Sequence, residues 1–211
     1  MNKTLDKFLI ILIITDLGFI CLHFLNQIGR LPHYSYSLYA DMGYSEIYQY
    51  VKEFWIFLML IFAFIERKRF NYLAWSLLFL YFLADDALRL HESFGRILSQ
   101  DLPQIYGLKA QDLGELIVTA IAGTIIFSFI FITYYKSKDF EKWVSKKLFF
   151  MVLILVFFAV GVDMLHSAIS SLDGFFGVIE DGGELFAMSV ILAFVFKLDI
   201  FFTEFNTVTK S

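Results

Sequence analysis

Residues 8–27 read FLIILIITDLGFICLHFLNQ, an apolar run interrupted by one acid, Asp16, and one imidazole, His23. An α-helix rises about 1.5 Å per residue, so a run of this length crosses the roughly 30 Å hydrocarbon layer of a bilayer. Five more apolar runs follow, near 48–65, 71–92, 112–135, 148–171 and 177–197. Barrel strands would alternate apolar with polar residues over about ten positions, and none of these runs does. The sequence therefore predicts an all-α integral membrane bundle of about six transmembrane helices, a single domain over residues 1–211.

Composition points the same way. Hydrophobic residues make up 59% of the chain and aromatics 19%, whereas soluble domains are about 45–50% apolar. The net charge of −4 comes without a basic face carrying interleaved aromatics, which excludes nucleic acid as a partner. A lone Cys21 excludes an intrachain disulfide and a Cys-x-x-Cys metal pair. The opening MNKTLDK with its apolar run has the outline of a signal peptide. Asp16 and the lack of a small-x-small site favour a retained first span instead.

The links between runs fall into two kinds. ERKRF (66–70) and KSKDFEKWVSKK (136–147) are short and basic, Lys3 and Lys7 precede the first run, and the tail starts after Lys197. With six spans these four segments share one side, which the positive-inside rule assigns to the cytoplasm together with both termini. The links 28–47, 93–111 and 172–176 then face outward. The first leads into YSYSLYADMGYSEIYQY (34–50), which reads either as an interfacial aromatic belt or as a loop over the bundle.

Charges inside spans are costly and turn toward the bundle interior or a wet cavity. Counting the helical rise from the nearest basic link, Glu53, Asp85, Asp86, Asp163 and Glu184 lie about 18–24 Å deep. His23, His91, Glu92, His166 and Glu180 lie somewhat further, so all converge on the outer half of the bilayer; only Asp16 is deeper. In VGVDMLHSAISS (160–171), Asp163, His166, Ser167 and Ser170 form one stripe. Asp163-x-x-His166 has the spacing by which a helix offers a carboxylate and an imidazole to one metal. In FLADDALRLHESFG (82–95), Asp85, Arg89 and Glu92 share a face. There Arg89 can neutralise both acids, and His91 joins them only if the helix end distorts. In VIEDGGELFAMS (178–189), Glu180 and Glu184 repel across one turn, and Gly182 and Gly183 permit close packing. Asp112, Glu115 and Thr119 form a stripe in the fourth span.

Eleven acids lie within or beside the spans, and only Lys52 and Arg89 stand near them as bases. That excess points to a bound cation. The metal-ligand candidates are Glu53, Asp85, His91, Glu92, Glu115, Asp163, His166, Glu180 and Glu184. Carboxylates with one to three His suit iron, manganese or zinc. A mononuclear variant uses His23, His91 and His166 with Asp163. Such a centre, near the outer leaflet, is expected to act on a membrane lipid or lipid-like substrate. Two other readings stay open: a proton or cation pathway, and a non-catalytic accessory subunit. Substrate, nuclearity and oligomeric partners are not legible.

Asp85-Asp86-x4-His91-Glu92 and Glu180-Asp181-x-x-Glu184 resemble motifs of a group of uncharacterised multi-spanning bacterial membrane proteins. In those, an acidic pair precedes His-Glu near the end of one span, and Glu-Glu-x-x-Glu opens a later one. The resemblance covers roughly residues 40–195 and implies the bacterial inner membrane, with no assigned activity. A looser resemblance runs to membrane zinc hydrolases of the ceramidase type, whose His-x-x-x-His pair has no counterpart here.

Overall fold

The computed structural model describes residues 3–103, 109–162, 164 and 173–208, and within them the chain is helical. Helix α1 spans Lys3–Gln27, α2 Tyr44–Arg67, α3 Phe70–Leu88, α4 Leu90–Leu98, α5 Ala110–Tyr135 and α6 Asp139–Val156. Helix α7 spans Asp173–Phe196 and α8 Leu198–Val208. Among the described residues, four segments are long and apolar enough to cross a membrane: Lys7–Gln27, Tyr44–Arg67, Ala110–Tyr135 and Asp139–Val162. Helices α3 and α7 have comparable lengths of 19 and 24 residues but carry acids toward one end, Asp85 and Asp86 in α3 and Glu180, Asp181 and Glu184 in α7.

Several boundaries differ from those expected. The run 71–92 does not continue as one helix: Arg89 takes a left-handed backbone (φ 52°), ending α3 and starting α4. The stretch 136–147 is mostly helix, because nothing between Asp139 and Lys147 breaks one. Asp139 and Glu141 fall in the first turn of α6, where the helix dipole favours negative charge. Helix α6 then widens into a π-helical turn, Phe157–Val162. Lys68 (φ 55°) closes α2 and permits a tight link to α3.

Helix α7 packs on α1, α2 and α6, and α2 packs along α3. Ile56, Leu60, Trp75, Phe79, Leu148, Val152, Met188 and Ile191 fill the centre and are fully or almost fully buried. At the end carrying the basic links, Trp75 Nε1 donates to Ser145 Oγ (2.8 Å) and Ser145 Oγ to Asn71 Oδ1 (2.8 Å), tying α3 to α6. Helix α8 stacks Phe201, Phe202 and Phe205 against Phe140 and Trp143. The outer surface is apolar: Ile11, Ile14, Phe62, Ile121, Ile125, Phe131 and Phe150 are all at least half exposed. That pattern suits hydrocarbon as the solvent, since monomers in water rarely expose large contiguous apolar patches.

Candidate functional site

Ser45, Gln49 and Glu53 follow one another at i, i+4 and i+8 along α2, so they stack on one face. Each is buried, with 5%, 7% and 1% of its surface exposed. Ser45 Oγ, Gln49 Oε1 and Glu53 Oε2 have no hydrogen-bond partner among the described residues. Buried polar atoms are normally paired, so three orphans in a row mark a place built to receive something.

They face two adjoining cavities at the end of the bundle opposite the basic links. One, of about 210 Å³, is lined by Ser45, Gln49, Asp86, Arg89, His91, Glu92, Asp181 and Glu184, with Tyr39–Asp41 at its edge. The other, of about 150 Å³, is lined by Gln49, Glu53, Asp85, Asp86, His91, Asp112, Glu115, Thr119 and Glu184. Gln49, Asp86, His91 and Glu184 belong to both, so the two cavities form one acidic chamber. In it the carboxyls of Glu53 and Asp86 lie within hydrogen-bonding reach of each other. Two carboxyls in contact need a proton or a cation between them.

The break at Arg89 shapes the upper wall. Asp85 Oδ1 accepts from His91 N–H (2.8 Å), and Asp85 Oδ2 lies 3.0 Å from His91 Nδ1. Arg89 pairs instead with Asp41 (2.8 Å) and Glu92 (3.1 Å), so it does not neutralise Asp85 as the helix-face spacing suggests. A left-handed non-glycine residue costs roughly 1–2 kcal/mol, which these contacts offset. The distortion that would bring His91 to the acids is therefore present. Asp86 is drawn inward to Glu53, although the helical wheel selects Asp85 with Glu92 as the inward pair. His91 stands on α4, beyond the end of α3. Its hydrogen bond with Asp85 raises its pKa above the usual imidazole value, against the lowering effect of burial.

Helix α5 approaches through two glycines. A Cβ on Gly114 would sit 2.3 Å from the Gly95 carbonyl oxygen, and one on Gly95 would sit 2.5 Å from Glu115 Cγ. This contact between α4 and α5 sets Glu115 at the chamber wall, where Gln111 Nε2 donates to it at 2.8 Å. On α7, a Cβ on Gly183 would lie 2.2 Å from the Phe158 ring, so that glycine lets α7 lie against the π-helical turn. Helix α7 runs unbroken through Gly182 and Gly183.

The chamber floor is a closed ion pair. Lys52 Nζ donates to Asp16 Oδ1 (3.1 Å), Leu185 O (2.8 Å) and Ser189 Oγ (3.2 Å). Ser189 Oγ donates to Asp16 Oδ2 at 2.6 Å, and Lys52, Asp16 and Ser189 are fully buried. All three ammonium protons are thus satisfied, and Lys52 is withdrawn from the acids above it.

Of the residues singled out in the sequence, Glu53, Asp85, His91, Glu115 and Glu184 line the inner cavity, and Glu92 lines the outer one. Glu180 is half-buried near Tyr39, whose phenol is pushed up by burial and then by Asp181 and Glu180. Asp163, His166, Ser167 and Ser170 lie outside the described residues. Among the described residues, no group of three or more His, Cys, Asp or Glu is arranged to hold a metal ion. His23 serves the outer loop: Leu38 N–H donates to its Nδ1 at 3.1 Å, and Tyr39 packs edge-on against it. Ser45, Gln49 and Ser189 are neutral, and a search for charges passes over them. The i, i+4, i+8 spacing ending at Glu53 is the signal that finds the first two.

The chain belongs to the family described as Domain of unknown function (DUF8692), whose profile matches residues 25–198. The matched stretch contains every chamber residue and leaves Asp16 outside it. No curated protein and no solved structure matches the chain.

Proposed function

We propose that the chain is an integral membrane protein of six spans, with both termini cytoplasmic, whose outward-facing acidic chamber binds a cation. Helices α3 and α7 supply the two spans beyond the four most apolar helices. Arg67–Arg69 and Lys136–Lys138 lie at the links expected on the cytoplasmic side. The observation that carries cation binding is the row of orphaned oxygens, Ser45, Gln49 and Glu53, facing Asp86 and Glu184. An empty cluster of carboxylates would repel itself, and a cation relieves that repulsion while giving the orphaned acceptors a partner.

The locked Lys52–Asp16–Ser189 floor favours a dead-end binding site over a through-going proton or cation pathway. In the metal form of this reading, Glu53, Glu115, Glu180 and Glu184 act with Asp163 and His166 on divalent iron, zinc or manganese. The site would then serve a reaction on a lipid-like substrate.

The test is a thermal-stability panel on detergent-purified protein, with metal ions and small organic ammonium ions, beside elemental analysis. At least one cation should raise the melting temperature by several degrees in the native chain and not in Glu53→Gln or Asp86→Asn. No stabilising cation, or equal stabilisation of both variants, overturns the proposal.

A further inference from the structure

The inner cavity has two unlike walls. Glu53, Asp86, Glu115 and Glu184 form one; Leu155, Val156, Ala159, Val160 and Met188 form much of the other. Among the described residues, no Lys or Arg lines it. A bare metal ion has no use for an apolar wall. A head bearing phosphate would meet the carboxylates of Glu53, Asp86, Glu115 and Glu184, while the imidazole of His91 is already engaged by Asp85 and Arg89 of the outer cavity by Asp41 and Glu92. An ammonium group with a hydrocarbon tail matches both walls, since its N–H groups can donate to the oxygens that lack partners and its tail covers the aliphatic side.

The seam between α5 and α6 shows where that tail can run. These helices pack less on each other than α5 does on α3 and α4, and between the cavities Phe127 of α5 meets Phe149 of α6 edge-on, so a chain running along the seam passes these two rings. Thr119 of α5 and Ala159 of α6 mark the seam at the chamber. Nearer the basic end the same seam opens again, into an apolar cavity of about 380 Å³ walled by Phe127, Ile130 and Phe131 of α5 and Phe149 and Phe150 of α6, with Trp75 behind. From Ala159 to Phe149 the helical rise is about 15 Å, and from Thr119 to Phe131 about 18 Å. The π-helical turn Phe157–Val162 contributes Ala159 and Val160 to the chamber, and π-bulges recur at functional sites.

We infer that the ligand of the chamber is a single-chain amphiphile with an amine head, its ammonium among Glu53, Asp86 and Glu184 and its hydrocarbon chain along the α5–α6 seam. This inference rests on the cation-binding reading above and adds the class of ligand to it.

The experiment uses the full chain in lipid nanodiscs and n-alkylamines of increasing length, with the N-acetylated amide of each length as the uncharged control. Referred to the free aqueous concentration and after subtraction of uptake by protein-free nanodiscs, affinity for the amines should rise about three- to fourfold per methylene while the chain is being buried. The amides, measured against the same protein-free nanodiscs, should bind at least tenfold more weakly. An octylamine carrying a diazirine at its terminal carbon should label α5 and α6 at residues facing the seam. Amine affinity independent of chain length, amides binding as well as amines, or label falling on α1 and α2 overturns the inference and leaves cation binding standing. Absence of any stabilising cation, metal or ammonium, removes the chamber reading beneath it.

Discussion

Lys52 and Glu53 are neighbours in sequence whose side chains enter two separate buried environments. The ammonium of Lys52 reaches Asp16 on α1 at 3.1 Å, while the Glu53 carboxyl turns to Asp86 on α3. Successive residues on a helix point about 100° apart, so one turn of α2 serves the floor and the chamber at once. The floor is fully paired, whereas in the chamber an oxygen of Glu53 has no partner among the described residues.

Removing Lys52 should therefore be costly. Lys52→Met leaves Asp16 buried with only Ser189 beside it, and breaking one partner of a buried pair typically costs about 3–5 kcal/mol. Replacing both, in Lys52→Met with Asp16→Leu, should recover much of that loss, because no unpaired charge remains. Thermal unfolding of the two single variants and the double variant in one detergent checks this. An additive loss in the double variant would show that the pair is not coupled.

The His91–Asp85 pair gives the fold a pH dependence of known sign. Its folded-state pKa is raised, so the charged pair stabilises fully below the ordinary imidazole value of about 6.5. That contribution is lost as the pH climbs through the higher folded-state value. The native chain should lose melting temperature over this alkaline-going step, and His91→Gln should lack the step. Melting curves from pH 5 to 9 for both proteins make the comparison.

Gly95 and Gly114 should be intolerant of alanine. The added Cβ on Gly114 meets backbone, the Gly95 carbonyl oxygen, which cannot swing aside as a side chain can. Forcing α4 away from α5 should cost about 1–3 kcal/mol. It should also move Glu115, so cation-induced stabilisation should weaken further than stability itself. Alanine at Gly123, where nothing lies within 4 Å, should be neutral and serves as the control.

Helix identity and most of the chamber were legible because long apolar runs and costly intramembrane charges leave strong traces in a sequence. Glu53, Asp85, Glu115 and Glu184, singled out by spacing or depth, line the inner cavity, whereas His91 reaches it only through the break at Arg89. The break at Arg89 was not legible: no glycine or proline marks it, and tertiary contacts to Asp41 and Glu92 hold it in place. That break is what brings His91 back onto Asp85. Helix α8 was missed for a related reason, since its aromatic face is too short to read as a span and takes its partners, Phe140 and Trp143, from α6. Ser189 left no trace because a neutral residue gains its role only from Lys52 and Asp16 arriving beside it.

The proposed orientation makes a prediction that does not depend on the ligand. In a Cys21→Ser background, single cysteines at Lys68 and Ser137 lie in the basic links, and those at Asp41 and Asp101 lie beyond the opposite ends of the helices. Arg and Lys near span ends hold their loops in the cytoplasm. A membrane-impermeant thiol reagent applied to intact cells should label positions 41 and 101 and spare 68 and 137 until the membrane is opened. If α3 failed to cross, positions 68 and 137 would fall on opposite sides, because Lys68 and Ser137 are separated by α3 and α5. Labelling of one of the two in intact cells would reject six spans, and labelling of both would invert the topology and put the acidic chamber on the cytoplasmic face.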